Sequence, residues 1–218
     1  MAQISLSYPK IKGSKEIEHY NCSCIAFEKY DGTNLHWVWE RELGWYAFGT
    51  RRSRFDLDKK GIDDFNIAHP GLEKASDIFI KDFSTQLEKI FRSNSDYVNY
   101  SEIIVFTEFL GNNSFAGMHK KEDEKQLVMF DVQTSQEIIT PDRFIRDFQE
   151  FKIAKIIYKG KLSGKFINDV REGKFNIIEG VVCKGFTNNK LWMVKIKTNA
   201  YMKKLKETFK ENWENYWE

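Results

Sequence analysis

The sequence predicts an α+β fold in which antiparallel sheets are flanked by helices. Two patterns carry this prediction. Short segments rich in β-branched and aromatic residues adjoin one another in pairs, which is typical of antiparallel strands. Segments with apolar residues at every third or fourth position are inserted between groups of strands, whereas a parallel sheet requires a regular alternation of strand and helix.

Seven segments have the length and composition of strands, and each is bounded by Gly, Asn or Asp. They are Cys24–Glu28, Leu35–Glu40, Trp45–Phe48, Glu102–Phe109, Gln126–Val132, Ile177–Cys183 and Leu191–Lys197. In the second of these, Leu35, Trp37 and Trp39 occupy alternate positions. The alternation predicts a half-buried strand that leaves His36 and Val38 on a solvent-facing side.

Helices are predicted in three internal segments and in the C-terminal tail. The first has apolar residues every three or four positions from Leu72 to Phe91. In the second, Thr140 is an N-cap and Pro141 occupies the first helical position, and the third begins near Ser163. The tail has apolar residues at helical spacing, at Tyr201, Leu205, Phe209, Trp213 and Tyr216.

The chain of 218 residues and 25.8 kDa has the composition of a folded globular protein, with 41% apolar and 15% aromatic residues. No linker, repeat or low-complexity segment divides it, so we expect one domain followed by a terminal helix. It has no apolar run of membrane-spanning length and no apolar segment typical of a secretory signal. We therefore expect a cytoplasmic protein without a membrane partner.

Cysteine and histidine follow no recognisable site pattern. Cys22 and Cys24 are separated by one residue, Cys183 is far from both, and the four histidines lack the paired spacing of a zinc site. We expect neither a disulfide framework nor a transition-metal site held by the protein alone.

The net charge of +2, from 34 basic and 32 acidic residues, is too small to indicate a partner. The distribution is more informative, because the segment from Lys184 to Lys206 contains seven lysines and no acidic residue. A second basic cluster, Thr50–Lys60, contains three arginines and two lysines against Asp56 and Asp58. Such clusters suit phosphate groups, and a solvated lysine face is the structural alternative.

The segment EKYDGTN at residues 28–34 is the most informative motif. Lys29 lies where a predicted strand gives way to a turn at Asp31-Gly32, so its side chain is expected at the end of a sheet rather than on its face. A lysine in such a place can act as a nucleophile. A surface hairpin with an exposed lysine explains the motif better when the motif is taken alone.

Five further fragments follow this motif in a fixed order, and each ends a predicted strand. They are GTRRSR at 49–54, FTEFLG at 106–111, VMFDV at 128–132, EGVVCKG at 179–185 and VKIKTN at 194–199. Together they resemble the motifs of the covalent nucleotidyltransferase superfamily of polynucleotide ligases and mRNA capping enzymes, and most closely those of nick-sealing ATP-dependent RNA ligases. The resemblance extends from about Tyr20 to about Asn199 and implies an adenylyltransferase domain of antiparallel sheets.

The resemblance implies roles for individual residues. Lys29 corresponds to the nucleophile that takes up AMP, and Phe130 to the aromatic residue that stacks on adenine. Glu108 corresponds to a residue that contacts the ribose, and Glu179 to one that supports the divalent metal ion. Glu28, directly before the nucleophile, corresponds to a position at the purine edge that contributes a main-chain contact.

Three further positions concern the alignment and the subgroup. Arg52 is the best match to an arginine that contacts nucleotide and strand phosphates, and Arg51 matches if the alignment slips by one residue. Asn34 stands where nick-sealing RNA ligases have Asn and where DNA ligases and capping enzymes commonly have Arg. Asp31 stands where some nick-sealing RNA ligases have His, so a DNA ligase stays an alternative.

The residue types at these positions suit phosphoryl transfer. A lysine attacks an α-phosphate only when it is neutral, and free lysine titrates near ~10.4. Lys195 and Lys197 are alternate residues of one predicted strand and share a face. There they can lower the pKa of Lys29 and hold the triphosphate. Glu108 and Glu179 lie in apolar segments, where a carboxylate needs a partner, and the partner is either a ligand or, in a buried salt bridge, Arg51 or Arg52.

These observations predict an ATP-dependent RNA ligase that uses Mg²⁺ or Mn²⁺ and joins 5′-phosphate and 3′-hydroxyl RNA ends or nicks through a Lys29–AMP intermediate. Residues 1–198 would form the adenylyltransferase domain and residues 199–218 a basic amphipathic helix. Most ligases carry a further domain after the Lys-x-Lys motif, and we expect no separate oligonucleotide-binding barrel here. The alternatives are a minimal DNA ligase with the same nucleophile and a catalytically silent RNA-binding module.

Overall fold

The computed structural model describes residues 8–14, 18–111, 122–134, 137–211 and 213. The backbone divides into two compact units. The first unit comprises Gly32–Ile139, Arg146–Ile153 and the N-terminal residues up to Tyr8, and the second comprises Pro9–Asp31, Thr140–Ile145 and Ala154–Glu218. The chain therefore passes from the second unit to the first between Asp31 and Gly32, inside the motif of residues 28–34 that contains Lys29.

The described elements confirm the predicted α+β class. In chain order the strands are β1 (Lys12–Gly13), β2 (Ser23–Lys29), β3 (Thr33–Glu40), β4 (Gly44–Thr50), β5 (Arg54–Asp56), β6 (Glu102–Leu110), β7 (Gln126–Thr134), β8 (Ile156–Lys161), β9 (Gly180–Thr187) and β10 (Lys190–Lys197). The helices are α1 (Lys59–Ala68), α2 (Ala75–Phe79), α3 (Thr85–Ser93), α4 (Pro141–Phe148), α5 (Gly164–Arg171) and α6 (Asn199–Phe209), with a π-helical segment, Ile80–Ser84, between α2 and α3.

The first unit contains an antiparallel sheet with the strand order β5-β4-β3-β6-β7. One face of β3 packs against α2 and α3. The Trp37 ring stacks on Phe48 at 5.3 Å and on Phe79 of α2 at 3.9 Å, measured between ring centroids, and Trp39 lies 5.4 Å from Phe91 of α3. This aromatic layer holds the helices on the sheet and fixes which face of β3 is turned away from them.

The prediction that β3 is half-exposed is wrong. His36 and Val38 lie on the face opposite the tryptophans, yet they are 2% and 0% exposed. The reason is that β3 is the central strand and its second face is also covered. Phe106 of β6 is the register partner of His36, and the ring of Tyr8 packs on Phe106 at a centroid distance of 5.0 Å. Alternation alone cannot show a second covering layer.

The second unit contains the sheet β1-β10-β9-β2-β8, in which β1 pairs parallel with β10 and the other neighbours are antiparallel. One face of this sheet forms an apolar core with α5. The core includes Cys24, Ala26, Val181, Cys183, Val194, Ile196, Phe166, Ile167 and Val170. Because side chains alternate along a strand, residues such as Lys29, Lys195 and Lys197 project from the other face.

Some element boundaries differ from the predictions. Strand β9 begins at Gly180 rather than at Ile177, so Glu179 directly precedes the strand. The sequence analysis did not predict β1, β5, β8 or α1. Strand β8 lies at a sheet edge with polar, exposed lysines, and α1 buries only Gly61 and Phe65, so neither has a strong apolar pattern.

Helix α6 confirms the predicted C-terminal helix. The Thr198 side chain accepts a hydrogen bond from the backbone N–H of Tyr201 and caps the helix. Tyr201 and Leu205 are buried, whereas the side chains of Lys203, Lys204, Lys206 and Lys210 are exposed. The helix ends at Phe209, so Trp213 lies beyond it, contrary to the prediction, and Tyr216 lies outside the described residues. None of the described helices combines the length and the apolar character needed to cross a membrane.

Candidate active site

Lys29, Gly180 and Lys197 form one row across three neighbouring strands of the second unit. Lys29 is the last residue of β2, and its register partner on β9 is Gly180. Gly180 is also the register partner of Lys197, the last residue of β10. Side chains of one register row project from the same face of a sheet, so the two lysines share a face across the glycine.

Glu179 connects these two lysines. Its Oε1 atom lies 2.7 Å from Nζ of Lys29 and 3.8 Å from Nζ of Lys197. The Glu179 and Lys197 side chains are 4% and 7% exposed, whereas that of Lys29 is 27% exposed. Two cations therefore compensate the buried carboxylate, and Lys29 is the member of this group that an incoming ligand can reach.

Gly180 has no room for a side chain. Its φ is +155°, and a Cβ atom would lie 2.0 Å from the carbonyl oxygen of Ile196 and 2.8 Å from Cα of Lys197. A glycine is therefore required between the two lysines, because the backbones of β9 and β10 approach each other so closely. The sequence analysis included Gly180 in a motif but assigned it no role.

Lys195 lies beside this row. It is two residues before Lys197 on β10, and the structure agrees with the prediction that the two side chains share a face. Its register partner on β9 is Val182, and its side chain is half-buried. Lys195 is therefore two register rows further from the end of β2 than Lys197 is.

Glu28 faces away from the lysine row. It precedes Lys29 on β2, so its side chain projects from the opposite face of the sheet. Its backbone N–H donates to the carbonyl oxygen of Lys155 at 2.7 Å. Burial raises the pKa of the neighbouring Tyr30 to about 12, and the charge of Glu28 contributes to this shift. The N–H of Glu28 is thus already engaged within the second unit.

Asn34 and Glu108 are neighbours in the first unit. They are register partners on β3 and β6, and both are half-buried. The Glu108 Oε1 atom accepts a hydrogen bond from the backbone N–H of Gly32 at 3.2 Å. A Cβ atom at Gly32 would lie 2.4 Å from the carbonyl oxygen of Phe109, so the glycine permits this close approach of the turn to β6.

Phe130 of β7 is half-buried and belongs to an aromatic group of the first unit. Its ring centroid lies 5.0 Å from that of Tyr8, edge to face, and 6.2 Å from that of Phe106. The hydroxyl of Tyr8 donates to the carboxylate of Asp131. Burial, followed by the charge of Asp131, raises the pKa of Tyr8 well above its usual value. Phe130 is thus held by neighbouring rings while part of its own ring stays accessible.

Arg51 and Arg52 are exposed on the turn between β4 and β5. A chain of hydrogen bonds that the sequence analysis missed organises this turn. The backbone N–H of Arg52 donates to Oγ1 of Thr50 at 3.3 Å, Thr50 Oγ1 lies 2.8 Å from Oγ of Ser53, and Ser53 Oγ lies 2.8 Å from Nε2 of His69. Arg51 and Arg52 are therefore exposed on a turn that these side-chain hydrogen bonds stabilise.

The structure distributes the predicted site residues over the two units. The second unit contains Glu28, Lys29, Glu179, Lys195 and Lys197, and the first contains Asn34, Arg52, Glu108 and Phe130. In the second unit, Lys29, Glu179 and Lys197 are in contact. In the first, Asn34 and Glu108 are register partners, whereas Arg52 and Phe130 lie on other strands or turns. Their functional roles stay predictions.

Glu179 is the predicted metal-supporting residue. Within the described parts of the chain, no group of three or more His, Cys, Asp or Glu residues could hold a metal ion. Mg²⁺, however, is usually held by one or two carboxylates together with substrate phosphates and water. A single buried carboxylate beside lysines fits an ion of this kind that binds together with a polyphosphate.

Comparison with known proteins establishes the family. The sequence profile of the RNA ligase family matches residues 23–198, which is most of the chain. The protein therefore belongs to the RNA ligase family. No curated protein matches the chain significantly.

Solved structures of RNA ligases share the fold. An archaeal ATP-dependent RNA ligase superimposes with a TM-score of 0.62 at 15% identity, over 93% of this chain and 51% of that chain. A variant of Naegleria gruberi RNA ligase with AMP and Mn gives 0.64 at 14% identity, over 93% and 59%. Another variant, with ATP and Mn, gives 0.58 at 13% identity, over 93% and 59%. The match thus spans little more than half of these longer chains.

Proposed function

We propose that the protein is an ATP-dependent RNA ligase that joins a 5′-phosphate to a 3′-hydroxyl through a covalent Lys29–AMP intermediate. The observation that carries this proposal is the placement of Lys29, which is partly exposed at the end of β2 and 2.7 Å from the buried carboxylate of Glu179. Membership of the RNA ligase family supports it. The AMP, ATP and Mn in the Naegleria structures support ATP and a divalent metal ion as ligands.

In the first step, Nζ of Lys29 attacks the α-phosphorus of ATP and forms a P–N bond. The bond from the α-phosphorus to its bridging oxygen breaks, and pyrophosphate leaves. Lys29 must give one proton to water before it attacks, and its nitrogen releases a second proton to water as the P–N bond forms. Glu179 lies 2.7 Å from the amine, and Lys197, at 3.8 Å, keeps the carboxylate paired once Lys29 is neutral.

Charge stabilisation is the main requirement of this step, because phosphoryl transfer places negative charge on phosphate oxygens. Lys195 and Lys197 project from the same face as Lys29 and would hold those oxygens. Glu179 is the residue that would hold Mg²⁺ or Mn²⁺, which when bound neutralises phosphate charge. In the first unit, we assign Phe130 to the adenine, Glu108 to the ribose and Arg52 to the phosphates.

The second step transfers AMP from Lys29 to the 5′-phosphate of a strand, which breaks the P–N bond and frees the lysine. In the third step, a 3′-hydroxyl attacks that 5′-phosphate, AMP leaves and the strand is sealed. Asn34 is assigned to these strand-joining steps because it lies next to Glu108 and belongs to the same motif as Lys29. The exposed lysines of α6 are assigned to strand phosphates.

The first test is incubation of the protein with labelled ATP and Mg²⁺, followed by denaturing electrophoresis and peptide mapping. We expect an acid-labile adduct of AMP mass on Lys29 that is absent from Lys29→Ala. Lys161→Ala, which removes an exposed lysine of the same sheet, is the matched control and should form the adduct normally. An adduct on another lysine would contradict the assignment of the nucleophile. A folded wild-type protein that binds RNA without forming an adduct would support the catalytically silent module.

A second test compares the RNA ligase with the DNA ligase alternative. Matched nicked duplexes that differ only in an RNA or DNA strand at the 3′-hydroxyl should be sealed faster when that strand is RNA. Faster sealing from the DNA 3′-hydroxyl would favour a minimal DNA ligase, in which the same Lys29 chemistry acts on a different strand.

A further inference from the structure

Tyr201 of α6 contacts the motif that carries Lys29. Its hydroxyl donates a hydrogen bond to Oδ1 of Asp31 at 3.0 Å, and both side chains are buried. Asp31 is two residues after Lys29 and follows the end of β2. The C-terminal helix is therefore bonded to the turn that begins at the proposed nucleophile.

The same tyrosine also contacts the second lysine of the row. Nζ of Lys197 lies 5.3 Å from the centroid of the Tyr201 ring, within the range of a cation–π interaction. Aromatic rings attract cations through their negative faces, and this attraction is stronger where the cation is shielded from water. The Lys197 side chain is largely buried, so the ring forms part of its immediate surroundings.

These contacts form a closed circuit around Lys29. The amine of Lys29 pairs with Glu179, Glu179 pairs with Lys197, Lys197 lies over Tyr201, and Tyr201 bonds Asp31. Only Tyr30 separates Asp31 from Lys29 in the chain, so the backbone closes the ring of contacts. Each member of this ring therefore contacts two others.

Hydrogen bonds of Thr198 connect the start of α6 to the segment that carries Glu179. The backbone N–H of Thr198 donates to the carbonyl oxygen of Glu179 at 2.9 Å, and Thr198 Oγ1 donates to the carbonyl oxygen of Ile178 at 2.8 Å. The same Oγ1 accepts a hydrogen bond from the N–H of Tyr201 at 3.1 Å. One residue thus fixes both the segment that carries Glu179 and the first turn of α6.

We propose that Tyr201 is a positioning residue of the adenylation centre, which it serves by holding Asp31 and Lys197 in place around Lys29. The inference rests on the proposed function. It assigns α6 a part in adenylation, which is separate from the strand binding assigned to its exposed lysines. A phenol suits this position because it compensates the buried carboxylate of Asp31 with a neutral donor. The phenol adds no charge, so the charged groups around Lys29 are still Glu179 and the neighbouring lysines.

The test is single-turnover formation of the Lys29–AMP adduct by Tyr201→Phe over a range of pH. This change removes only the hydroxyl and keeps the buried ring. We expect adenylation to slow about 10-fold or more, as the loss of a hydrogen bond to a charged group implies, with a displaced pH profile and little change in the ATP concentration at half-maximal rate. Tyr201→Leu also removes the ring from Lys197 and should slow the step further.

The matched control is Tyr158→Phe, which removes a hydroxyl that donates to the carbonyl oxygen of Lys161 in the same unit. We expect the control to adenylate as the wild type does. In addition, Tyr201→Phe combined with Asp31→Ala should be no slower than Asp31→Ala alone, because each change removes the hydrogen bond between the two side chains.

Wild-type rate and pH profile in Tyr201→Phe would overturn the inference, as would additive losses in the double variant. A purely structural role would lower the melting temperature of Tyr201→Phe and leave the rate of the folded fraction and its pH profile unchanged, which also overturns it. The wild-type protein distinguishes the two proposals. If it forms no adduct, the proposed function has failed, whereas an active wild type with an unaffected variant rejects Tyr201 alone.

Discussion

The Nζ atom of Lys29 lies 2.7 Å from Oε1 of Glu179, and the carboxylate of this pair is almost completely buried. An adjacent carboxylate favours the charged form of an amine, whereas attack on a phosphate requires the neutral form. The sequence analysis considered only the cations Lys195 and Lys197 as influences on Lys29. The structure adds the carboxylate of Glu179 as a counter-charge, which opposes the proton loss that the proposed reaction requires of Lys29.

The first prediction concerns Glu179→Gln, which keeps the shape of the side chain and removes its charge. We expect the variant to fold and to form the Lys29–AMP adduct about 100-fold more slowly or worse, because the residue proposed to hold the metal ion has lost its charge. The measurement is adduct formation over a Mg²⁺ titration. Glu172→Gln, at an exposed ion pair with Lys174, is the control. Normal adenylation across the titration would show that the metal assignment is wrong.

The second prediction concerns Gly180→Ala. A Cβ atom there meets the carbonyl oxygen of Ile196 at 2.0 Å, so we expect a loss of about 2 kcal/mol or more in the free energy of unfolding and a displaced Lys197. Gly173→Ala is the control. Gly173 has a φ of +74° but nothing within 4 Å of its Cβ position, so this change should cost only about 1 kcal/mol. Urea unfolding and adduct formation check both. Equal stability of the two variants would contradict the argument from close packing.

The third prediction concerns the turn that presents Arg51 and Arg52. Ser53→Ala interrupts the hydrogen-bonded chain between Thr50 and His69, so the turn should become less ordered. We expect the concentration of 5′-phosphorylated strand at half-maximal sealing rate to rise about 3- to 10-fold, as the loss of one hydrogen bond implies, with stability changed by about 1 kcal/mol or less.

Two further variants make this prediction specific. His69→Gln keeps a polar group that can reach Ser53 and should retain more activity than His69→Leu. Ser93→Ala, which removes a hydroxyl that donates to the carbonyl oxygen of Lys89 on α3, should leave sealing unchanged. If Ser53→Ala seals at the wild-type rate at every strand concentration, the turn does not depend on this chain.

The fourth prediction concerns the exposed lysines of α6. Joint replacement of Lys203, Lys204 and Lys206 by Ala should leave Lys29 adenylation nearly intact and slow the sealing of a nicked RNA duplex, most visibly at higher salt, because phosphate contacts are salt-dependent. A triple variant of the exposed lysines on and beside β8 removes the same charge elsewhere in the unit, at Lys155, Lys159 and Lys161. Equal salt dependence of both variants and the wild type would leave α6 without a role in strand binding.

The fifth prediction follows from His36. Burial, and secondly the charge of Arg54, lowers the pKa of His36 from 6.5 to about 4. The unfolded chain therefore takes up a proton before the folded protein does. The contribution of His36 to the free energy of unfolding is fully present above pH 6.5 and is lost as the pH falls towards 4. The total loss from this group is about 3 kcal/mol. In His36→Leu that component is absent, so its free energy of unfolding should change less between pH 7 and pH 4.5 in urea titrations. Identical pH dependence would contradict the role of His36.

Much of the sheet architecture follows from local sequence signals. The Asp31-Gly32 turn predicts a strand that ends at Glu28, one residue before the observed end of β2 at Lys29, and the spacing of Lys195 and Lys197 predicts their shared face. Helix α5 begins after Ser163, as its capping residue indicates. These features depend on neighbouring residues only, which is why a single sequence reveals them.

Other features depend on residues that are distant in the chain. Asp31 and Tyr201 are 170 residues apart, and neither residue type signals the other. The partner of Glu179 was left open between a ligand and an arginine, and the structure pairs it with lysines. Whether Glu179 lies inside β9 or before it depends on where the strand begins. The apolar residues Ile177 and Ile178 favour an earlier start than the observed one at Gly180. Such contacts are set by tertiary packing, which local patterns do not encode.

The cap at Thr198 limits how the protein can be shortened for engineering. A fragment that stops at residue 198 keeps the whole stretch that matches the family, yet it removes the buried Leu205 and also Tyr201, which contacts Asp31 and Lys197. The family match alone would thus suggest a minimal fragment that omits the residue proposed to position Asp31 and Lys197. The shortest useful truncation has to retain α6 at least as far as Leu205, and fusion junctions belong beyond it.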